Sequence, residues 1–133
     1  MLKPGGTVII CTPAPEGISP VHKELLDFTA WPSEKIKAAY RSGEIKNGVA
    51  AALAVAWAMV REQVSVITYS PGIPAGDKAK LGHTHAPTID WAVAEALRRQ
   101  GPNARVTVLT HAPEMLPLKI EATGRSFPDG KKQ

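Results

Sequence analysis

Cysteine occurs once in this chain, at Cys11. A single thiol excludes an intramolecular disulfide and suits a reducing compartment. No basic stretch running into an apolar one opens the sequence, so secretion is not indicated and the expected location is cytoplasmic. Long apolar runs are also missing. The longest, Val49 to Val60, falls short of the roughly 20 residues that a membrane-spanning helix needs, so no membrane association is expected. Charge of one sign is not concentrated either. The net charge is +4, but the basic residues scatter as Lys35 and Lys37, Lys78 and Lys80, Arg98 and Arg99, Lys131 and Lys132. A nucleic-acid binder gathers such residues on one face with aromatics between them, so solvated helix faces and a basic C-terminus are expected here, and no nucleic-acid partner.

What is present fits one globular domain. A chain of 133 residues, 44% hydrophobic and 21% charged, can bury one ordinary core. Continuous β-branched runs mark three strands, Gly6 to Cys11, Val64 to Tyr69 and Arg105 to Thr110. Helical patterns separate them. Ser19-Pro20 opens one helix, with Val21, Leu25 and Phe28 on a shared face. Ser33 is placed to cap a second, where Ile36, Ala39 and Tyr40 recur before Gly43 stops it. Thr88 is placed to cap a later one carrying Ile89, Ala92, Val93, Ala96 and Leu97, which Gly101-Pro102 ends. Strands alternating with helices predict an α/β fold, a small parallel sheet of about three strands flanked by helices. The α/β domain is expected over residues 1–118 and a loose tail over 119–133.

Two segments read as parts of something larger. The helix from about Val49 to Glu62 is apolar all round, so it should be buried on most sides, by further chain or by another subunit. Leu2-Lys3-Pro4-Gly5-Gly6 has the character of a helix exit leading into a strand, from which an upstream strand and helix are expected.

Several signals recur in a fixed order: Lys3-Pro4-Gly5-Gly6-Thr7-Val8-Ile9-Ile10, Pro15-Glu16-Gly17, Ser33-Glu34-Lys35-Ile36 with Gly43-Glu44, and the Val64 to Ile67 strand. Leu81-Gly82-His83-Thr84 with Pro87, the helix from Thr88, and Gly101-Pro102-Asn103-Ala104-Arg105-Val106-Thr107-Val108 follow. This order resembles the C-terminal domain of the nickel-dependent lactate racemase family, from about Lys3 to Leu118. The resemblance implies a two-domain α-hydroxyacid racemase or epimerase that uses a nickel pincer nucleotide. In that family the cofactor is tethered to a lysine of the N-terminal domain, whose histidines ligate nickel and move protons. None of these N-terminal elements is in this sequence, nor is the helix that brings a glutamine and a lysine to the cleft. The implied function is therefore a cleft-forming portion that is not catalytically competent alone. Its partner would be an N-terminal domain or subunit of the same enzyme. Ala50 stands where the family's lactate racemases carry tryptophan, a departure that leaves the α-hydroxy acid open.

Individual residues offer little chemistry by themselves. Thr12, Glu16, Gly17 and His111 fall just beyond expected strand ends, where open α/β sheets hold their ligands, and are the candidate cleft residues. Cys11 is expected to be a buried strand residue rather than a nucleophile. His83 and His85 could share one side of an extended segment, but no third ligand supports a metal site, and an exposed loop pair is expected. Trp31, Trp57 and Trp91 are expected to pack. Two other readings stay open: a stand-alone binding module that forms a homo-oligomer through the helix around Trp57, and a Rossmann-type methyltransferase fragment. The Pro-Gly-Gly turn before a strand also suits the latter.

Overall fold

The computed structural model describes residues 3–114. The tail expected over 119–133 lies outside the described residues, as does Leu2. Three parallel strands, β1 (Thr7–Cys11), β2 (Ser65–Tyr69) and β3 (Thr84–His85), form one sheet with β2 in the middle. The register pairs Thr7 with Ser65 through Cys11 with Tyr69, and Ile67 with Thr84. A 3₁₀ segment (Pro20–Asp27) and helices α1 (Ser33–Arg41) and α2 (Gly48–Arg61) lie between β1 and β2. Helix α3 (Ala75–Lys80) connects β2 to β3, and α4 (Ile89–Gln100) returns across β1 and β2. This is the small α/β fold expected from the alternating pattern.

The third strand is not where the sequence placed it. Arg105 to Thr110 joins no strand and lies exposed, with Val108 at 77%. β-branched residues favour a strand only where a neighbouring edge and a covering face exist, and this segment meets neither among the described residues. The central strand instead takes the short Thr84–His85 segment as its neighbour, where a loop was expected.

Local chemistry sets the helix ends. Asn47 caps α2 through its side-chain oxygen, which accepts from the Val49 and Ala50 amides at 3.1 Å. Thr88 caps α4 as expected, accepting from the Trp91 amide at 3.1 Å. Gly43, at φ +81°, follows α1 in the left-handed region that ends a helix cheaply. Ser33 is not the cap of α1, however. Pro32 precedes the helix and offers no capping group, so the cap comes from Glu62, whose carboxylate accepts from the Ser33 amide at 2.7 Å and hydroxyl at 3.0 Å. Those hydrogen bonds, the backbone one foremost, hold the Glu62 carboxyl below its ordinary pKa. The segment after Ser19 is a 3₁₀ helix broken at His22, and its tighter winding turns Leu26 inward and leaves Val21 exposed.

Alanines let α1 and α2 approach closely. Ala50, Ala51, Ala54 and Ala58 are buried with Phe28, Ile36, Ala39 and Ile45. Another side of α2 is largely uncovered among the described residues: Val49, Leu53 and Val60 are exposed, and Trp57, at 37%, has the His83 ring close to its own. The expectation of burial on most sides therefore holds for one face alone, the face whose small side chains match α1. On α4 the pattern repeats more weakly, with Ala92 buried and Ile89, Val93 and Leu97 exposed. No helix among the described residues is long and apolar enough to cross a membrane.

Candidate functional site

The loops at the C-terminal ends of β1 and β2 are locked together. The Thr12 amide donates to the Tyr69 carbonyl, and the Gly72 amide donates to the Pro13 carbonyl at 3.0 Å. A Cβ on Gly72 would stand 1.8 Å from the Ala14 carbonyl oxygen, so only glycine permits this approach. Gly17, at φ +72°, closes a turn onto Ala14 and meets the far side of the same glycine. The two loops thus form a rigid rim at the edge of the sheet where α/β folds place their ligands.

Beyond that rim, the loop after β2, α3 and the end of β3 border an open cavity of about 310 Å³, lined by Tyr69, Ser70, Ile73, Lys78 and His85 among others. Lys78 is its chemical centre. The side chain is 1% exposed, and Nζ donates to the Ser70 carbonyl at 2.7 Å and to His85 Nδ1 at 3.1 Å. Acceptance at Nδ1 assigns the neutral imidazole's proton to Nε2, which makes that nitrogen a second donor. No carboxylate among the described residues pairs with Lys78. The nearest acid on its own helix, Asp77, pairs with Lys80 at 3.7 Å on the surface. A buried ammonium held by neutral acceptors retains most of its need for counter-charge.

His83, two residues before His85, faces a different environment. Its Nδ1 meets Thr68 Oγ1 at 3.0 Å, its ring centroid lies 5.3 Å from that of Trp57, and its Nε2 has no hydrogen-bond partner among the described residues. Desolvation, and after it the Arg61 guanidinium, hold this imidazole down at about pKa 4, so it is neutral at pH 7. The expected exposed loop pair holds only for the exposure of His85, which lies in β3 and lines the cavity; His83, just before that strand, is buried. Their hydrogen bonds lead to different partners. Among the described residues no three His, Cys, Asp or Glu side chains converge. These residues do not fit a nickel centre.

A second hollow of about 370 Å³ lies at the opposite, N-terminal edge, beside Arg61, Glu62 and Arg99. It is larger, but most of its charged groups are already engaged, although Arg61 Nε is buried with no hydrogen-bond partner among the described residues. Glu62 caps α1, Arg61 Nη2 donates to the Thr29 and Trp31 carbonyls, and Arg99 pairs with Glu95 at 2.7 Å. Gly82 is favoured there by its φ of +73°, a backbone conformation that side chains strain. This hollow serves to join the helices to β3.

Of the four sequence candidates, Thr12 and Gly17 belong to the rim and Glu16 is exposed on it, yet none lines the cavity. His111 is exposed and touches Thr110 Oγ1 at 3.0 Å; without a strand at 105–110 it does not sit at a sheet edge. Cys11, expected to be buried, is exposed at the end of β1. Sequence reasoning missed Lys78 and Ser70. The available signal was Pro71-Gly72 directly after β2, which marks a tight loop at the ligand-bearing edge. Comparison with protein-family models, curated proteins and solved structures finds no match to this chain.

Proposed function

We propose that this chain forms one wall of the cleft in a lactate-racemase-like α-hydroxyacid racemase or epimerase, and that it needs a cofactor-bearing N-terminal domain or subunit to act. The ordered set of motifs from Lys3 to Val108 supports the family. The observation that carries the incompleteness is the apolar side of α2, where Val49, Leu53, Trp57 and Val60 line up at helical spacing and stay exposed among the described residues. A cavity at the C-terminal edge, donor-rich and without an acid, suits an anionic substrate such as a 2-hydroxy acid. The role assigned to this chain is binding and orientation; the proton-transfer bases and cofactor tether belong to the partner.

The test is complementation. The chain is mixed with the cofactor-loaded N-terminal domain of a lactate-racemase-family enzyme and supplied with single enantiomers of several 2-hydroxy acids. No racemisation by the chain alone, and racemisation of at least one acid by the mixture, are expected. Failure to associate, or a complex that turns over none of the acids, overturns the proposal. The same α2 face supports a second reading, a stand-alone module that pairs with its own copy. A concentration-dependent dimer in light scattering, with no binding to the N-terminal domain, would favour it.

A further inference from the structure

We infer that Lys78, with His85, forms a subsite for a small oxyanion, a carboxylate or a phosphoryl group, in the cavity at the C-terminal end of β2. The site rests on its own geometry; the identification of its natural ligand as a 2-hydroxy acid rests on the racemase reading above. An ammonium has three N–H donors. Two of those on Lys78 go to the Ser70 carbonyl and His85 Nδ1, and the third has no acceptor among the described residues. Because the side chain is 1% exposed, bulk water does not screen this charge as it would at the surface. An oxyanion in the cavity would supply both the missing acceptor and the counter-charge.

The lining favours that class of ligand over others. Pro71, Pro74 and Pro87 border the cavity and bring no N–H to it. Lys78 Nζ and the His85 Nε2–H are both donors. A metal cation is disfavoured, since Lys78 occupies the His85 Nδ1 lone pair and carries positive charge itself. The cavity of about 310 Å³ accommodates a three-carbon acid or inorganic phosphate with water. The rim fixed by Gly72 against Ala14 keeps Ser70 and its carbonyl in place, so the ammonium is already positioned before a ligand arrives.

Titration of the ¹⁵N-labelled chain with sodium lactate and with sodium phosphate, against sodium chloride at matched ionic strength, reads the site through the Ser70 and Ala86 amides. Saturable shifts with at least one oxyanion and none with chloride are expected. Preference for lactate identifies the group as a carboxylate and preference for phosphate as a phosphoryl group; either supports the subsite. Lys78→Met, which keeps the side chain's volume, should weaken binding at least tenfold and raise the melting temperature of the unliganded protein. His85→Ala, at an exposed position, should weaken binding severalfold and guards against a Lys78→Met protein that fails to fold. No saturable shift with either oxyanion, or unchanged affinity in the folded variants, overturns the inference. Neither result depends on complementation, so this site can fail while the racemase reading stands, and the reverse.

Discussion

The α1–α2 pair and the β2–β3 side of the sheet bury different chemistry. Between the helices, eight residues from Phe28 to Ala58 form one apolar cluster. On the sheet, the fully buried apolar cluster is Ile67, Ala86 and Ala92, while Thr68, Ser70, Lys78 and His83 are buried beside it. Apolar burial stabilises a fold without further conditions, whereas a buried polar group contributes only where its hydrogen bonds are made. On the sheet side they are incompletely made: one N–H of Lys78 and the His83 Nε2 lack partners among the described residues, as on the helix side does only Arg61 Nε at the very end of α2. The helix pair therefore reads as scaffold, and the sheet edge as the part whose composition serves something other than stability.

The largest test of that contrast is truncation at matched positions. Ile36 and Ile67 are both 0% exposed, one in each region. Ile36→Ala removes the largest fully buried side chain of the helical cluster from among close-packed neighbours, and should cost about 4 kcal/mol in urea unfolding. Ile67→Ala lies in a thinner cluster that can settle around the gap, and should cost about 2 kcal/mol. Equal losses would show that the sheet is as tightly packed as the helices and would break the comparison.

A pH series sharpens it next. The His83 imidazole titrates at about 4 in the folded protein against 6.5 for an ordinary histidine. Between those values the unfolded chain holds more protons, so stability is full above pH 6.5 and declines as pH falls toward 4, by at most about 3 kcal/mol. His83→Phe, which keeps a ring against Trp57 without a titrating nitrogen, should flatten that decline in unfolding free energies measured from pH 7 to 4. An unchanged slope would place the acid sensitivity elsewhere.

Much of the scaffold was legible in the sequence, and the reasons are local. The cap at Thr88, the stop at Gly43 and the β-branched runs of β1 and β2 each depend on a few adjacent residues. What could not be read depends on distant ones. Arg105 to Thr110 has the composition of a strand but no partner edge, whereas Thr84–His85 has little strand character and becomes β3 because Ile67 and Thr68 lie open beside it. Ser33 looks like a cap, yet Glu62, 29 residues away, does the capping. Gly76-Asp77-Lys78-Ala79-Lys80 reads as a solvated helix, and nothing within it shows that Lys78 points under the loop after β2. Locally marked strand ends single out Thr12 and Gly17 as candidates, though neither lines the cavity; the cavity was missed because its centre is a lysine buried by tertiary packing.

The smallest expected effect on stability comes from the bare side of α2. Leu53 is 42% exposed and belongs to neither apolar cluster. Leu53→Gln should therefore change the unfolding free energy of the isolated chain by no more than about 0.5 kcal/mol, in contrast to Ile36→Ala on the neighbouring helix. Association is a different matter. If a partner domain covers this side, Leu53 lies one helical turn from Trp57 near the middle of the buried patch, where a polar amide is left without its hydrogen bonds. Binding to the N-terminal domain should then weaken at least tenfold while the melt stays where it was. Loss of stability in the isolated chain would mean instead that α2 is already covered in solution, as by a second copy. Its apolar side would then be part of the scaffold rather than the place where another domain docks.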